Sequence, residues 1–145
     1  MVRIELMPWE RARTEASRVR FRVFVEEQGV PRDIELDERD GDCVHALAYE
    51  HGKVVGTGRL LPREEGAPAV AHIGRMAVLP ECRGRGIGSR ILESLIGKAR
   101  ERGEELVALS AQVHAVEFYR SHGFQPVGEI YDEAGIPHRK MRRAI

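Results

Sequence analysis

The chain has 145 residues, with 23 Lys and Arg balanced by 23 Asp and Glu, 42% hydrophobic residues and 32% charged ones. That length suits one domain, the composition is that of a folded chain, and zero net charge argues against a protein that coats nucleic acid by bulk electrostatics. Cys43 and Cys82 cannot make a four-cysteine zinc site, no apolar run approaches the ~20 residues of a membrane span, and Met1–Glu5 carries no signal-peptide pattern. A cytoplasmic single domain over residues 1–145, without metal or membrane, is expected.

Val2–Leu6 alternates weakly and predicts a first strand. From Trp9 to Phe24, Ala12, Ala16, Val19 and Val23 recur at helical spacing, with Arg11, Arg13, Arg18 and Arg22 on a solvated face. Glu26–Asp42 holds eight carboxylates against Arg32 and Arg39, so it reads as an irregular, largely solvated segment with a short helix. Val44–Glu50 and Lys53–Leu61 read as a hairpin turning at His51-Gly52. Ala69–Val78 is a further strand, ended by Leu79-Pro80. A helix follows, with Ile91, Leu92, Leu95, Ile96 and Ala99 on its apolar face and Arg100, Arg102 and Gly103 at its end. Glu105–Ser110 predicts a buried strand, His114–His122 a short helix, and Phe124–Glu129 with Pro137–Arg142 the last two strands. Three antiparallel strands before a helical crossover imply an α/β (α+β) domain with a mixed, mostly antiparallel sheet of six to seven strands flanked by helices.

The chemistry lies in the loop Arg83-Gly84-Arg85-Gly86-Ile87-Gly88, between a strand and a helix. Glycines at alternate positions uncover backbone N–H groups and permit positive φ, and the helix directs its N-terminal N–H groups into the same space. Such a site takes an anion, above all a diphosphate, and Arg83 and Arg85 supply cations. Gly88-Ser89-Arg90 stands where a P-loop needs Gly-Lys-Ser/Thr, and Ile87 alone separates two glycines that a dinucleotide fingerprint sets two residues apart. The plainer reading is a turn that merely joins strand to helix.

This loop resembles the diphosphate motif, Gln/Arg-x-x-Gly-x-Gly/Ala, of the GNAT superfamily of N-acetyltransferases. The entering strand, the departing helix, Leu106–Ser110 and Ala115–Phe124 match that family in order. Phe24–Pro31 and Gly135-Ile136-Pro137-His138 are similar to its ElaA/YjcF-like branch. The resemblance implies a sheet splayed at the cofactor, acetyl-CoA as co-substrate, and a small-molecule or peptide amine as acceptor. It is compatible with a homodimer. It implies cofactor contacts at Met76, Ala77 and Val78, at Arg83, Gly84, Arg85, Gly86, Ile87, Gly88 and Ser89, and at Gln112 after the next strand. Tyr119 would protonate the departing thiolate, although an aromatic beside Phe118 also suits packing. His72 falls where lysine-acetylating members place a glutamate base, although a lone strand histidine is more often a surface residue. Glu26, Glu27 and His138 would border the acceptor. A non-catalytic sensor of acyl-CoA or another nucleotide shares the loop and is the alternative; turnover on an amine separates the two.

Overall fold

In the computed structural model, which describes residues 1–35, 37–66 and 68–145, the chain forms seven strands and four α-helices. The strands are β1 (Val2–Pro8), β2 (Val44–Glu50), β3 (Lys53–Leu60), β4 (Val70–Val78), β5 (Leu106–Gln112), β6 (Gln125–Glu133) and β7 (Ile136–Ala144). They make one sheet in the order β1-β2-β3-β4-β5-β7-β6. Every neighbouring pair is antiparallel except β4 and β5, which the helical crossover makes parallel. The helices are α1 (Trp9–Arg20), α2 (Arg32–Glu35), α3 (Ile87–Glu101) and α4 (Val116–Ser121).

α3 buries Ile87, Ile91, Leu92, Leu95, Ile96 and Ala99, the face that its periodicity predicts. It lies close on the sheet because β3 offers glycines. A Cβ at Gly56 would stand 2.8 Å from Ile91 Cδ1, and one at Gly58 would stand 3.0 Å from Ile91 Cγ2 and 3.1 Å from Leu95 Cδ1. That close approach fixes where the N-terminus of α3 points.

α1 packs through Ala12, Ala16 and Val19 but ends at Arg20, short of the expected Phe24. The chain continues as a π-helix, Phe21–Glu27, closed by the bond from Gln28 N to Val23 O at 3.1 Å. The wider turn keeps Val23 buried while Arg22 and Glu27 reach outward to the glycine loop.

The acidic segment departs from its expected solvation. Glu35 and Asp40 are buried, because arginines from the core side meet them. Arg20 pairs with Glu35 and holds Asp40 by two bonds of 2.8 and 3.1 Å. Arg59 on β3 binds Asp37 at 2.8 and 2.9 Å and Asp40 at 2.9 Å. Arg75 on β4 reaches Asp37 at 3.2 Å and the Glu35 carbonyl at 3.2 Å. Burial alone would raise the Asp40 carboxyl, but bonds and charge from Arg20 and Arg59 hold it below the ordinary aspartate range. The hydrogen bond from Arg59 leads the causes that bring Asp37 down to about 2. Its contribution to stability is therefore complete above about pH 4 and is lost as the pH falls through the folded value. Three carboxylates balance three guanidinium groups here, so removing one leaves excess positive charge in a buried network. Asp40→Asn is thus expected to cost about 3–5 kcal/mol, read as a fall in the thermal midpoint of roughly 10 °C or more. A midpoint within a degree or two of the wild type would show that the network adds nothing.

Candidate active site

β4 and β5 stay together for three rungs only, Val70↔Leu106, Ala71↔Val107 and His72↔Ala108. Beyond them β4 remains paired with β3 to Val78, and β5 with β7 to Gln112, so the two strands part and leave their inner edges free of each other. A bulge shapes the β4 side. The register passes from Thr57↔Ala77 to Arg59↔Gly74, and Arg75 sits at φ 50°. The Asp37 and Glu35 contacts of Arg75 hold that bulge, which carries Met76, against the acidic segment. Leu79 N donates to Val55 O at 2.9 Å, so by strand alternation Val78 turns its peptide groups to the open edge.

The gap leads to the glycine loop. After the 3₁₀ turn Pro80–Cys82, Gly84 and Gly86 take φ of 80° and 79°, and Gly86 is the residue from which α3 starts. A Cβ at either glycine would meet nothing within 4 Å. The pair therefore forms an open cradle lined by backbone, with the first-turn N–H groups of Ile87, Gly88 and Ser89 facing a shared space. The cations of the loop are engaged within the protein. Arg83 binds both oxygens of Glu27 at 2.7 and 2.6 Å and donates its Nε to Val78 O at 3.0 Å. Arg85 pairs with Glu50 at 2.8 Å, and Arg22 holds Glu81 at 2.8 and 3.0 Å. The Arg83 bond is the foremost cause holding the Glu27 carboxyl below its ordinary range. Two forked ion pairs thus fasten the π-helix to the loop.

α4 closes the loop from the far side. The Phe118 ring lies 3.5 Å from where a Gly88 Cβ would be. Tyr119 is 7% exposed and stacks edge-on against Phe118 and Phe124, at centroid distances of 5.0 and 5.8 Å. Burial pushes its phenol up to about 12, so it holds its proton throughout the neutral range. Among the described residues its hydroxyl has no hydrogen-bond partner.

Comparison with known proteins decides what frame this is. The family model "Acetyltransferase (GNAT) family" matches residues 5–124. YjcF of Bacillus subtilis, an uncharacterized N-acetyltransferase, is 36% identical over 126 residues, covering 86% of this chain and 87% of that protein. ElaA of Escherichia coli is 36% identical over 129 residues, covering 88% and 84%. The chain belongs to the acetyltransferase (GNAT) family. The crystal structure of Escherichia coli ElaA superposes with a TM-score of 0.86 at 29% identity, over 99% of each chain. That of an acyl-CoA N-acyltransferase from Pseudomonas aeruginosa gives 0.84 at 30% identity, over 99% of this chain and 100% of that one.

The remaining residues of this GNAT domain divide between two ends of the gap. His72 stands on the last closed rung, half exposed, with Nε2 3.8 Å from Glu64 Oε1. At the other end Gln112 is opposite His138 on β7, and His138 is opposite Tyr131 on β6, so the three share one sheet face. Gln112 exchanges amide bonds of 3.1 and 2.8 Å with Gln28 at the end of the π-helix, and its Oε1 also meets His114 Nε2 at 2.6 Å. His138 is buried, its Nδ1 donating to Ile136 O at 2.7 Å and its Nε2 lying 3.5 Å from Glu133. Glu26 is exposed on the π-helix and has no ion pair among the described residues. No group of three His, Cys, Asp or Glu side chains gathers as a metal site among the described residues.

The sequence reading passed over Gln28, whose signal was faint: one amide in a turn. It also passed over Arg75, which the bulge alone aims at the acidic segment.

Proposed function

We propose that this protein transfers an acetyl group from acetyl-CoA directly to a primary amine, either a small cationic molecule or a lysine-like side chain. The carrying observation is the free edge of β4, which runs from the opening of the gap to a glycine cradle with α4 and the protonated Tyr119 behind it. The residues fit that co-substrate. Peptide groups at Met76 and Val78 suit the amides of an extended arm laid along a strand edge, whereas Ala77, expected there from the sequence, turns its peptide groups to Thr57 on β3. The N–H groups of Arg85 to Ser89, open at Gly86, suit a diphosphate. Acetyl-CoA supplies the activated acyl thioester. Gln112 lines the opposite strand, its amide positioned by Gln28.

We assign one group to each chemical step. The backbone N–H of Val78, the one turned to the open edge, stabilises charge developing on the carbonyl oxygen, a contribution of about 3–4 kcal/mol for such donors. Tyr119 gives its proton to the departing thiolate, which a phenol held above the neutral range is suited to do. His72 takes the proton of the incoming ammonium, directly or through water. His138, with its Nδ1 committed to a carbonyl, shapes the acceptor side. Negative potential on that side comes from Glu26 and Glu133, because Glu27 is matched by Arg83 and the buried carboxylates by arginines.

Release of free thiol from acetyl-CoA over a panel holding spermidine, a lysine peptide and a neutral arylamine tests this reading. Turnover on the cationic amines is expected, rising with pH through the neutral range, with the rise flattened in His72→Ala. Glu26→Lys is expected to raise the acceptor KM by about three- to tenfold and to leave acetyl-CoA affinity unchanged. Preference for the neutral amine would remove the cationic acceptor. Acetyl-CoA binding without turnover on any amine would favour a sensor.

A further inference from the structure

A chain of hydrogen bonds that the acetyl-transfer reading leaves unused ends at the cradle. Glu93 Oε2 lies 2.7 Å from His122 Nδ1, and His122 Nε2 lies 2.8 Å from Ser89 Oγ. Ser89 is in the first turn of α3, Glu93 one turn further along, and His122 just after α4. The groups facing this imidazole are Glu93 and Ser89 from α3, the Phe118 ring of α4 at 5.1 Å, and Arg143 of β7, whose Nη1 reaches Glu93 Oε2 at 3.2 Å. The His122 side chain is 15% exposed.

The chemistry of the donors fixes where the protons are. A carboxylate oxygen only accepts, so Nδ1 of His122 carries a hydrogen. In the neutral ring Nε2 is then a bare lone pair, and the bond to Ser89 must be donated by the serine hydroxyl. Its single proton is turned toward His122, and lone pairs remain for the cradle. An arriving phosphate oxygen, itself an acceptor, meets repulsion there. If His122 takes up a proton, the direction of the bond reverses. Nε2–H donates to Ser89 Oγ, and the serine O–H is free to donate to the phosphate. Burial acts to raise the Glu93 carboxyl, but the His122 bond and the Arg143 charge hold it below its ordinary range, so it remains an anion at neutral pH.

We propose that Glu93, His122 and Ser89 form a proton-coupled diphosphate site: the cofactor's diphosphate binds together with one proton, which resides on His122 and turns the Ser89 hydroxyl toward the anion. This rests on the acetyl-CoA reading of the loop. No covalent bond forms or breaks. The proton comes from solvent and returns when the ligand leaves.

The test is titration calorimetry with dephospho-CoA, which lacks the phosphomonoester that would itself titrate near pH ~6. It is run near pH ~7 in buffers of different ionisation enthalpy, and again from about pH 6 to about pH 8, where imidazoles change charge. For the wild type, observed heat should change with buffer ionisation heat with a slope showing uptake of a substantial fraction of one proton. Affinity should fall as pH rises, by up to about tenfold per pH unit. In His122→Gln the amide N–H₂ can donate to Ser89 but cannot take up the proton, so uptake and pH dependence should vanish. Ser89→Ala should also abolish uptake. Binding in the wild type with no proton uptake, or the same uptake in His122→Gln, would overturn the relay and leave the cofactor reading standing. No binding of dephospho-CoA or acetyl-CoA to the wild type would overturn both.

Discussion

Tyr119→Phe is expected to lower kcat by about 10²–10⁴-fold and to leave acetyl-CoA affinity nearly unchanged. The ring contacts with Phe118 and Phe124 hold this side chain in place, and they survive loss of the hydroxyl. The variant should therefore fold and bind as the wild type does. What it lacks is the hydroxyl proton, kept on oxygen by a phenol raised to about 12, that would neutralise a leaving thiolate. Steady-state rates from thiol release, with calorimetry for affinity, separate the two quantities. A kcat equal to that of the wild type would reduce Tyr119 to a packing residue.

Gly86→Val is expected to abolish binding of acetyl-CoA, with at least a hundredfold loss of affinity, and to leave the fold largely intact. At φ 79° this position favours glycine, and a β-branched residue there is strained by about 1–3 kcal/mol. A Cβ at this position meets nothing within 4 Å, so the side chain starts into open space rather than into the core. It projects into the space assigned to the diphosphate. α3 stays anchored by Ile87, Ile91, Leu92 and Leu95, so circular dichroism should report a folded domain. Unchanged acetyl-CoA affinity in that folded variant would remove the cradle from the account.

Local signals wrote most of the fold into the sequence. Glycines mark the hairpin at His51-Gly52 and the cradle, and the 3.6-residue spacing of Ile91, Leu95 and Ala99 marks α3 and its buried face. The end of α1 was not legible, because a π-helix differs from an α-helix by one residue per turn and needs no distinct composition. The fate of the acidic run was hidden for a different reason. Charged residues read as solvated one by one, and only the tertiary fold brings Arg20, Arg59 and Arg75, from three distant elements, onto Glu35, Asp37 and Asp40. The same holds in the candidate site. Arg83 and Arg85 stand in the loop as expected, yet each has a carboxylate partner that sequence spacing does not reveal. The ordering of Gln112 by Gln28, 84 residues away in the chain, is likewise a tertiary event.

The parted strands and the glycine cradle together are proposed to hold acetyl-CoA. A crystal structure of the protein with acetyl-CoA tests this most directly. The account predicts the pantetheine arm paired with the free edge of β4 at Met76 to Val78, the diphosphate on the N–H groups of Arg85 to Ser89, and the Tyr119 hydroxyl within hydrogen-bonding reach of the sulfur. Density for the cofactor outside the gap, or a diphosphate held away from Gly84 to Ser89, would contradict it.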